Sequence, residues 1–343
     1  SGNVSFEDFW NKTDENGQKT RPVAPFVPIY AAGYIEDKFQ LKDLTFRLGF
    51  RVDRYDANQK VLKDPYSVFG SLNAGEFGLA DKPANIGDDY AVYTSDGTTG
   101  GAIVGYRNGD VFYDTEGVEV RNYNSLGSSG AVPVKSDEQG DNTQDSNYRL
   151  DLAFEDYKTS YVFMPRLQFS FNITDNALFF AHYDVLSQSP QSRISSGFIL
   201  NRSIGSPMDY YFFSQNGGSS INNPNLRPEN TIDFQLGFKQ KVSASSAITF
   251  SAYYKEFKDQ IQIKRLAGVN GAQGNIYYTY DNIDFGNTKG FEFGYDLRRT
   301  KNIRITANYT LQFAEGTGSD DVTQSQVVRN SGTNFRSVNP LDF

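Results

Sequence analysis

Few side chains in this sequence could do covalent or metal chemistry. Its 343 residues include one histidine and no cysteine, which excludes disulfides, thiolate metal sites and a cysteine nucleophile. His182 stands two residues before Asp184, a spacing that could serve a proton relay or a ligand contact. A plain structural residue in a strand is the simpler interpretation, and we adopt it. Phosphate-binding, dinucleotide-binding, hydrolase and metalloprotease motifs do not occur, so we expect no enzyme.

An acidic segment could bind calcium. Residues 136–147 have the sequence SDEQGDNTQDSN, and calcium prefers flexible cages of oxygen ligands. The candidate ligands are Asp137, Asp141 and Asp145. Because the segment lacks the spacing of an EF-hand, a solvated polar loop is the more ordinary interpretation. Calcium is the only cofactor that the sequence suggests.

Four consecutive aromatic residues could contact a ligand. Tyr210, Tyr211, Phe212 and Phe213 follow Asp209 within a long polar segment. Aromatic side chains often carry the binding energy of recognition surfaces, so these four are the candidate ligand-binding residues. They could equally anchor the segment against its neighbours.

The elements that must position these residues are strands with a two-residue period. From Ile303 to Phe313, apolar or aromatic residues alternate with polar ones. Such alternation indicates half-buried β-strands, and about 9 to 11 residues is the length that a tilted strand needs to cross a bilayer. The same pattern occurs at 44–53, 167–173, 232–239, 248–255 and 291–297, with weaker strands at 30–35 and 177–184. In the last of these, the two faces cannot be assigned from the sequence.

Short and long connections alternate between these strands. Short turns are predicted at 36–42, 174–176, 242–246 and 298–302, and long polar segments at about 56–158, 186–230, 258–288 and 315–343. Outer-membrane barrels have short periplasmic turns and long extracellular loops. We therefore predict an all-β fold, an antiparallel transmembrane β-barrel segment of about eight strands. The alternative is a soluble β-sandwich or barrel, which would not usually hold a roughly 100-residue insertion between two strands.

The polar set of each strand includes charges that a small core could not hold at reasonable cost. A wide, wet lumen would accept them while the apolar set faces membrane lipid. By strand parity, the lumen-facing residues are Arg47, Arg51, Asp233, Lys239, Glu292, Asp296 and Arg304. The net charge of −8 and the lack of a lysine- or arginine-rich run disfavour nucleic acid as a partner.

Five segments resemble the barrel of TonB-dependent receptors, particularly the Oar-like and SusC-like members. Asn223–Thr231 (NPNLRPENT) resembles the family's NPxLKPE segment, which enters a barrel strand from an extracellular loop. The other four, in the family's order, are LTFRLGFRVDRY (44–55), MPRLQFS (164–170), NTKGFE (287–292) and ANYT (307–310). Each segment alone is also a common sequence for a β-hairpin, but the five together in this order indicate the family.

The resemblance implies an outer-membrane protein with a barrel of roughly 22 strands, of which this chain would be the middle to late wall. No plug domain, TonB box or closing strand is recognised, so we expect the chain to be part of a larger protein. The implied function is TonB-dependent transport, with TonB acting on the missing plug and the long loops capturing a large substrate: a peptide, an oligosaccharide or a protein. The alternative is a barrel scaffold or a partner of a secretion or surface-assembly machine, in which a surface lipoprotein or secretion component would bind the loops.

Overall fold

The computed structural model describes residues 4–126, 130–190, 193–195, 198–200, 203–213, 220–271, 275–317, 328–329 and 339–340. Within these residues, eight long strands form one antiparallel sheet in chain order. They are β1 (Ile29–Leu41), β2 (Leu44–Asp56), β3 (Ser160–Thr174), β4 (Ala177–Gln188), β5 (Glu229–Lys241), β6 (Ser246–Ala267), β7 (Ile276–Thr300) and β8 (Ile303–Gly316). The short segment Asn339–Pro340 pairs with the end of β8. The predicted all-β, antiparallel architecture of about eight strands is confirmed.

Tight turns join the strands into hairpins at one end of the sheet. The turns are residues 42–43, 175–176, 242–245 and 301–302. Lys42 and Lys301 adopt positive φ angles of 54° and 58°, the backbone conformation that two-residue hairpin turns favour. The last three turns lie within their predicted bounds, whereas the first overlaps its predicted range of 36–42 only at Lys42, because β1 continues to Leu41. In the described residues, no α-helix has both the length and the hydropathy of a membrane-spanning helix.

The third long connection was predicted as a long loop, but most of its described residues form strands. Residues 258–288 are mostly strand, since β6 and β7 stay paired from Gln260↔Asp284 to Ala267↔Ile276. A register shift and a positive φ of 56° at Asp259 separate this extension from the rest of the sheet. The segment is rich in isoleucine and tyrosine, which favour strands, but its charged and amide residues suggested a loop. We call residues 260–284 the extension; its extracellular placement stays a prediction.

Residues 57–159, which we call the cap, fold into a unit between β2 and β3. A five-stranded antiparallel sheet has the spatial order Glu119–Val120, Val111–Tyr113, Ile103–Asn108, Ala91–Thr94 and Val132–Pro133. Lys60–Leu62 pairs with Phe154–Asp156 at the base. The cap's helical turns are Ala74–Phe77, Tyr123–Ser125 and Leu150–Ala153. In the second long connection, Arg193–Ser195 pairs with Phe198–Leu200, and Pro207–Tyr211 is a short helix.

The main hydrophobic core lies in and around the cap and not in the wall. Four parts of the chain contribute to it: the helix Phe6–Asn11, the cap, the second long connection (with Tyr210, Phe213 and Ile221) and the extension. Phe9, Tyr93, Phe213 and Leu266 are all essentially inaccessible to solvent. Burying such side chains contributes on the order of 1.5–3 kcal/mol each. The long, polar-looking connections thus form one packed layer at the end of the sheet opposite the tight turns.

Candidate functional site

One face of the eight-stranded sheet carries a continuous row of charged side chains. Arg166 of β3 lies opposite Asp184 of β4, which lies opposite Asp233 of β5, which lies opposite Lys255 of β6. Directly opposed residues project from the same face. Arg166 Nε is 3.0 Å from Asp184 Oδ1, and Lys255 Nζ is 3.1 Å from Asp233 Oδ2. We call these four residues the charged row.

In the middle of the charged row, the carboxylates of Asp184 and Asp233 lie directly opposite each other. Like charges directly opposite each other destabilise a sheet, and the flanking Arg166 and Lys255 offset this repulsion. His182 lies on the same face, with Nε2 3.9 Å from Asp233 Oδ2. The second carboxylate oxygen of Asp233 is buried and accepts no hydrogen bond from the described residues. The register therefore assigns the faces of β4, and it supports the interpretation of His182 as a wall residue.

The predicted lumen-facing residues share this polar face. Arg47 pairs with Glu36 at 3.5 Å, Arg51 Nε donates to Asp53 at 2.6 Å, and Ser251 Oγ donates to Glu292 at 3.0 Å. By register or strand parity, all seven lie on it: Arg47, Arg51, Asp233, Lys239, Glu292, Asp296 and Arg304. That the face lines an aqueous lumen stays a prediction.

The opposite face is apolar and open to its surroundings. Ile35 is 72 % exposed, Phe163 61 % and Tyr309 62 %. Phenylalanine, leucine and isoleucine side chains surround them on every wall strand in a continuous band. A soluble protein rarely exposes an apolar patch this extensive, and a soluble sandwich would bury it. The division into a charged face and an exposed apolar face is that of a membrane barrel wall.

A chain of charged contacts links the cap to the extension. The buried Arg107 guanidinium donates to Asp64 at 2.6 Å and lies 4.0 Å over the Tyr66 ring. The Tyr66 hydroxyl donates to Asp110 at 2.9 Å, and Asp110 lies 2.7 Å from Lys264 Nζ in the extension. These contacts join two segments that are far apart in the sequence.

The ion pair between Lys264 and Asp110 shifts the pKa values of these two groups. Burial acts to raise the pKa of the Asp110 carboxyl, but the Lys264 ammonium and the hydrogen bonds around it outweigh burial and leave that pKa below its ordinary value. Burial acts to lower the pKa of Lys264, and the nearby carboxylates of Asp281 and Asp110 reverse this and raise it. Both groups are therefore charged at neutral pH, which holds the cap to the extension.

The four candidate ligand-binding aromatics lie where the second long connection meets the cap. Tyr210 and Phe213 are almost completely buried, with Tyr210 packed edge-on against Phe154 and Phe213 against Tyr277. Their burial favours the anchoring alternative. Tyr211 and Phe212 are only half-buried, and for these two a role in binding stays a prediction.

The candidate calcium ligands point to separate partners. Asp137 accepts a hydrogen bond from Thr99 at 2.8 Å, Asp141 pairs with Lys135 at 2.6 Å, and Asp145 accepts from the Asn142 amide at 2.9 Å. Across the described part of the chain, no three acidic or histidine side chains are arranged to hold a metal ion. Calcium binding at Asp137, Asp141 and Asp145 stays a prediction without geometric support.

Comparison with known proteins decides the family. The family model described as TonB dependent receptor-like, β-barrel, matches residues 5–343. The chain belongs to this receptor family. Over 104 residues it is 30 % identical to the iron-regulated outer membrane virulence protein of Vibrio cholerae, a match that covers 29 % of this chain and 16 % of that protein.

The solved structures that the chain matches include an iron transporter and a ferric enterobactin receptor. The FrpB iron transporter from Neisseria meningitidis is 12 % identical, with 94 % of this chain and 30 % of that chain covered and a TM-score of 0.40. A mutant of the ferric enterobactin receptor from Pseudomonas aeruginosa is 11 % identical, with 88 % and 40 % covered and a TM-score of 0.37. The receptor chain described here thus spans less than half the length of each of these relatives.

Membership of the TonB-dependent receptor family confirms the resemblance and the outer-membrane location. The family consists of receptors and not enzymes, in agreement with the prediction from the sequence. The narrower assignment to Oar-like or SusC-like members stays a prediction.

The segment that resembles the family's NPxLKPE motif connects the receptor's wall to the extension through buried contacts and hydrogen bonds. Leu226 is fully buried against Ile263 and Tyr278. The Arg227 amide donates to Asn282 Oδ1, and Asn282 Nδ2 donates back to the Arg227 carbonyl, both at 2.8 Å. Immediately after the motif's proline, Glu229 Oε1 accepts the Ile261 amide at 2.8 Å. These contacts therefore fix the position of the extension relative to the start of β5.

The contacts that build the cap were not predicted from the sequence. Arg107 and Asp64 are 43 residues apart, and no periodic pattern connects them. The only local signal was a charge inside a strongly apolar strand, VGYR, followed by a Gly-Asp turn. A buried arginine needs a carboxylate partner, but the sequence offers many carboxylates and does not say which one it is.

Proposed function

We propose that this chain forms wall strands and the extracellular layer of a TonB-dependent transporter that takes up a large substrate. The observation that carries the proposal is the division of the sheet, with the charged row on one face and exposed aromatic and aliphatic side chains on the other, in a chain of this family. Lipid would cover the apolar face, and the polar face would line a hydrated passage. TonB, acting through a plug domain, would supply the energy.

The cargo that we propose is a peptide, an oligosaccharide or a protein, bound first at the cap. Two clefts support this assignment. One of about 470 Å³ in the cap is lined by residues including Asn73, Asp89 and Asn108, and one of about 290 Å³ lies where the cap meets Arg227 and Asp281. Clefts that bind ligands are typically ~300–1,000 Å³. An iron chelate is the competing cargo, since similar structures include an iron transporter and a ferric enterobactin receptor.

Uptake by intact cells tests the proposal. The gene for the full-length protein would be deleted in its native host, and uptake of oligopeptides, oligosaccharides and ferric chelates would be compared with that of the parent strain, with and without a protonophore. We expect deletion to abolish uptake of one large substrate class, and the protonophore to abolish it in the parent. Uptake that is unchanged by deletion, or that ignores the protonophore, would contradict the proposal. Loss of ferric chelate uptake alone would correct the cargo.

A barrel scaffold that holds a surface lipoprotein or a secretion component is the second candidate. It is favoured by the core that the second long connection shares with the cap, because Tyr210 and Phe213 are buried there and not available to a ligand. A rigid, packed surface suits a permanent partner. Affinity purification of the full-length protein from outer membranes separates the two: a stoichiometric partner together with unchanged uptake in the deletion strain would favour the scaffold.

A further inference from the structure

The net negative charge of the chain lies entirely in the cap. Residues 57–159 hold 17 acidic and 8 basic side chains, a net charge of −9, whereas the whole chain has a net charge of −8. All the other residues together are therefore close to neutral. A charge imbalance confined to one folded unit creates a local field that favours partners of opposite sign.

Most basic residues of the cap are already neutralised. Six of the eight lie within 4 Å of a carboxylate in the same segment: Lys60, Lys82, Arg107, Lys135, Arg149 and Lys158. By contrast, four carboxylates make no hydrogen bond or ion pair with the residues that the structure describes, and all four are exposed: Asp81, Asp89, Glu116 and Glu119. The negative field of the cap is thus left uncompensated at these positions.

These four carboxylates come from two loops that pack against each other. Asn85 Nδ2 donates to the carbonyl of Gly117 at 2.7 Å, and the rings of Tyr90 and Tyr113 lie 5.4 Å apart. The loop 81–90 and the turn 114–119 therefore form one continuous border of the cap. We call Asp81, Asp89, Glu116 and Glu119 the acidic edge.

The acidic edge adjoins two features that suit an extended chain. Glu119–Val120 is the outermost strand of the cap sheet and, in the described residues, pairs on one side only, with Val111–Tyr113. Its neighbour Val118 is 57 % exposed. Unpaired strand edges accept an incoming strand through main-chain hydrogen bonds. Asp89 also lines the cleft of about 470 Å³ in the cap, which has room for a long side chain.

We propose that the acidic edge docks an extended, positively charged polypeptide segment of the cargo. Lysine and arginine side chains of that polypeptide pair with the four carboxylates while its backbone follows Glu119–Val120. A bare metal ion is a poorer fit, because the described acidic side chains nowhere converge as a metal site. The inference rests on the proposed function in taking the cap as extracellular and the polypeptide as cargo.

Peptide binding to the purified full-length receptor tests this docking. The probes are fluorescent decalysine and, as its counterpart, decaglutamate, measured by anisotropy at about 50 and 300 mM salt, because screening weakens contacts between exposed charges. The test variant is Asp81→Asn/Asp89→Asn/Glu116→Gln/Glu119→Gln. The matched control removes four charges elsewhere on the cap, with Asp137→Asn/Asp145→Asn/Glu155→Gln/Asp156→Asn. Resistance of the cap to trypsin verifies that both variants are folded.

We expect decalysine to bind, decaglutamate not to bind, and the test variant to lose about tenfold or more in affinity while the control loses threefold or less, since exposed charge pairs each contribute modestly. Equal losses in the two variants would show a diffuse field and overturn docking at this edge. Absence of decalysine binding to the unaltered receptor would overturn it as well. The uptake experiment is independent: energised uptake without peptide binding refutes only the docking, and peptide binding without energised uptake refutes only transport.

Discussion

The wall and the cap differ in what buries their apolar side chains. In the wall, aromatic and aliphatic residues such as Phe163 and Tyr309 point away from the protein and stay exposed, so their burial depends on lipid. In the cap, Tyr93, Phe112 and their neighbours face one another, and their burial is complete within the chain. The wall is therefore stable only in its membrane, whereas the cap holds a core that needs no lipid. The two regions should respond differently to the same kind of substitution.

The largest effect that we predict separates the cap from the wall. Arg107→Met leaves Asp64 without its buried partner, and breaking such a pair costs about 3–5 kcal/mol. We expect trypsin to cleave the cap of this variant in intact outer membranes, while the barrel keeps its heat-modifiable mobility in SDS gels. Arg149→Met is the control, because this arginine also forms an ion pair, with Asp151, but its side chain is 44 % exposed. Loss of the barrel together with the cap would mean that the two regions are one cooperative unit.

A second prediction compares neighbouring positions in the wall. Phe293 and Glu292 are adjacent in β7 but project from opposite faces. Phe293→Lys puts a charge on the lipid side near the middle of the strand, which costs about 2–4 kcal/mol. We expect it to lower the urea midpoint of barrel unfolding and the yield of folded barrel. Glu292→Lys, on the polar face, should change either much less. Equal sensitivity at the two positions would contradict the assignment of the faces.

Acid should loosen the junction between the cap and the extension before it affects the wall. Because the pKa of Asp110 is lowered in the folded protein, its stabilising contribution is present above the ordinary carboxyl pKa of about 4 and is lost as the pH falls through the folded value. We expect the thermal midpoint of cap unfolding, followed by near-ultraviolet circular dichroism, to fall below about pH 4, with no change between pH 5 and 8. In Asp110→Asn this acid step should shrink. A step of unchanged size in that variant would assign it to other carboxylates.

Removal of calcium should have the smallest effect. Asp137, Asp141 and Asp145 already accept from Thr99, Lys135 and the Asn142 amide, so their oxygens do not form a common cage. We expect the same trypsin resistance of the cap in excess EGTA and in millimolar calcium. Protection of the cap by calcium, abolished in Asp141→Asn, would instead establish the ion site that the sequence suggested.

The sequence predicted the wall well because the rule behind it is local. A strand in contact with lipid on one side and with polar surroundings on the other must alternate, so Ile303 to Phe313 specifies its own conformation and both of its faces. Even there, β4 was ambiguous, because His182 lies between apolar neighbours, and pairing with β3 and β5 was needed to assign its faces.

The cap was not predictable by the same reasoning. Its core depends on which distant segments meet, and the sequence holds no periodic signal for the contact between Phe213 and Tyr277 or for that between Arg107 and Asp64. Tyr210 is an example. From the sequence, this aromatic residue in a polar segment could contact a ligand or anchor the segment against its neighbours. Its packing against Phe154 favours the second role. The extension was missed for a related reason, since Lys264 and Asp281 suggest a solvated loop until their pairing is seen.

The long reach of the cap's contacts has a consequence for biogenesis. The Tyr277 hydroxyl in the extension donates to the carbonyl of Pro65, 212 residues away, and Phe9 shares their core. Contacts that close such long loops form late, because the chain loses much entropy before they are made. We therefore expect the layer formed by the cap, the second long connection and the extension to pack only after β1 to β7 have been aligned. On this reasoning, the packed layer around the cap is the last part of the chain to mature.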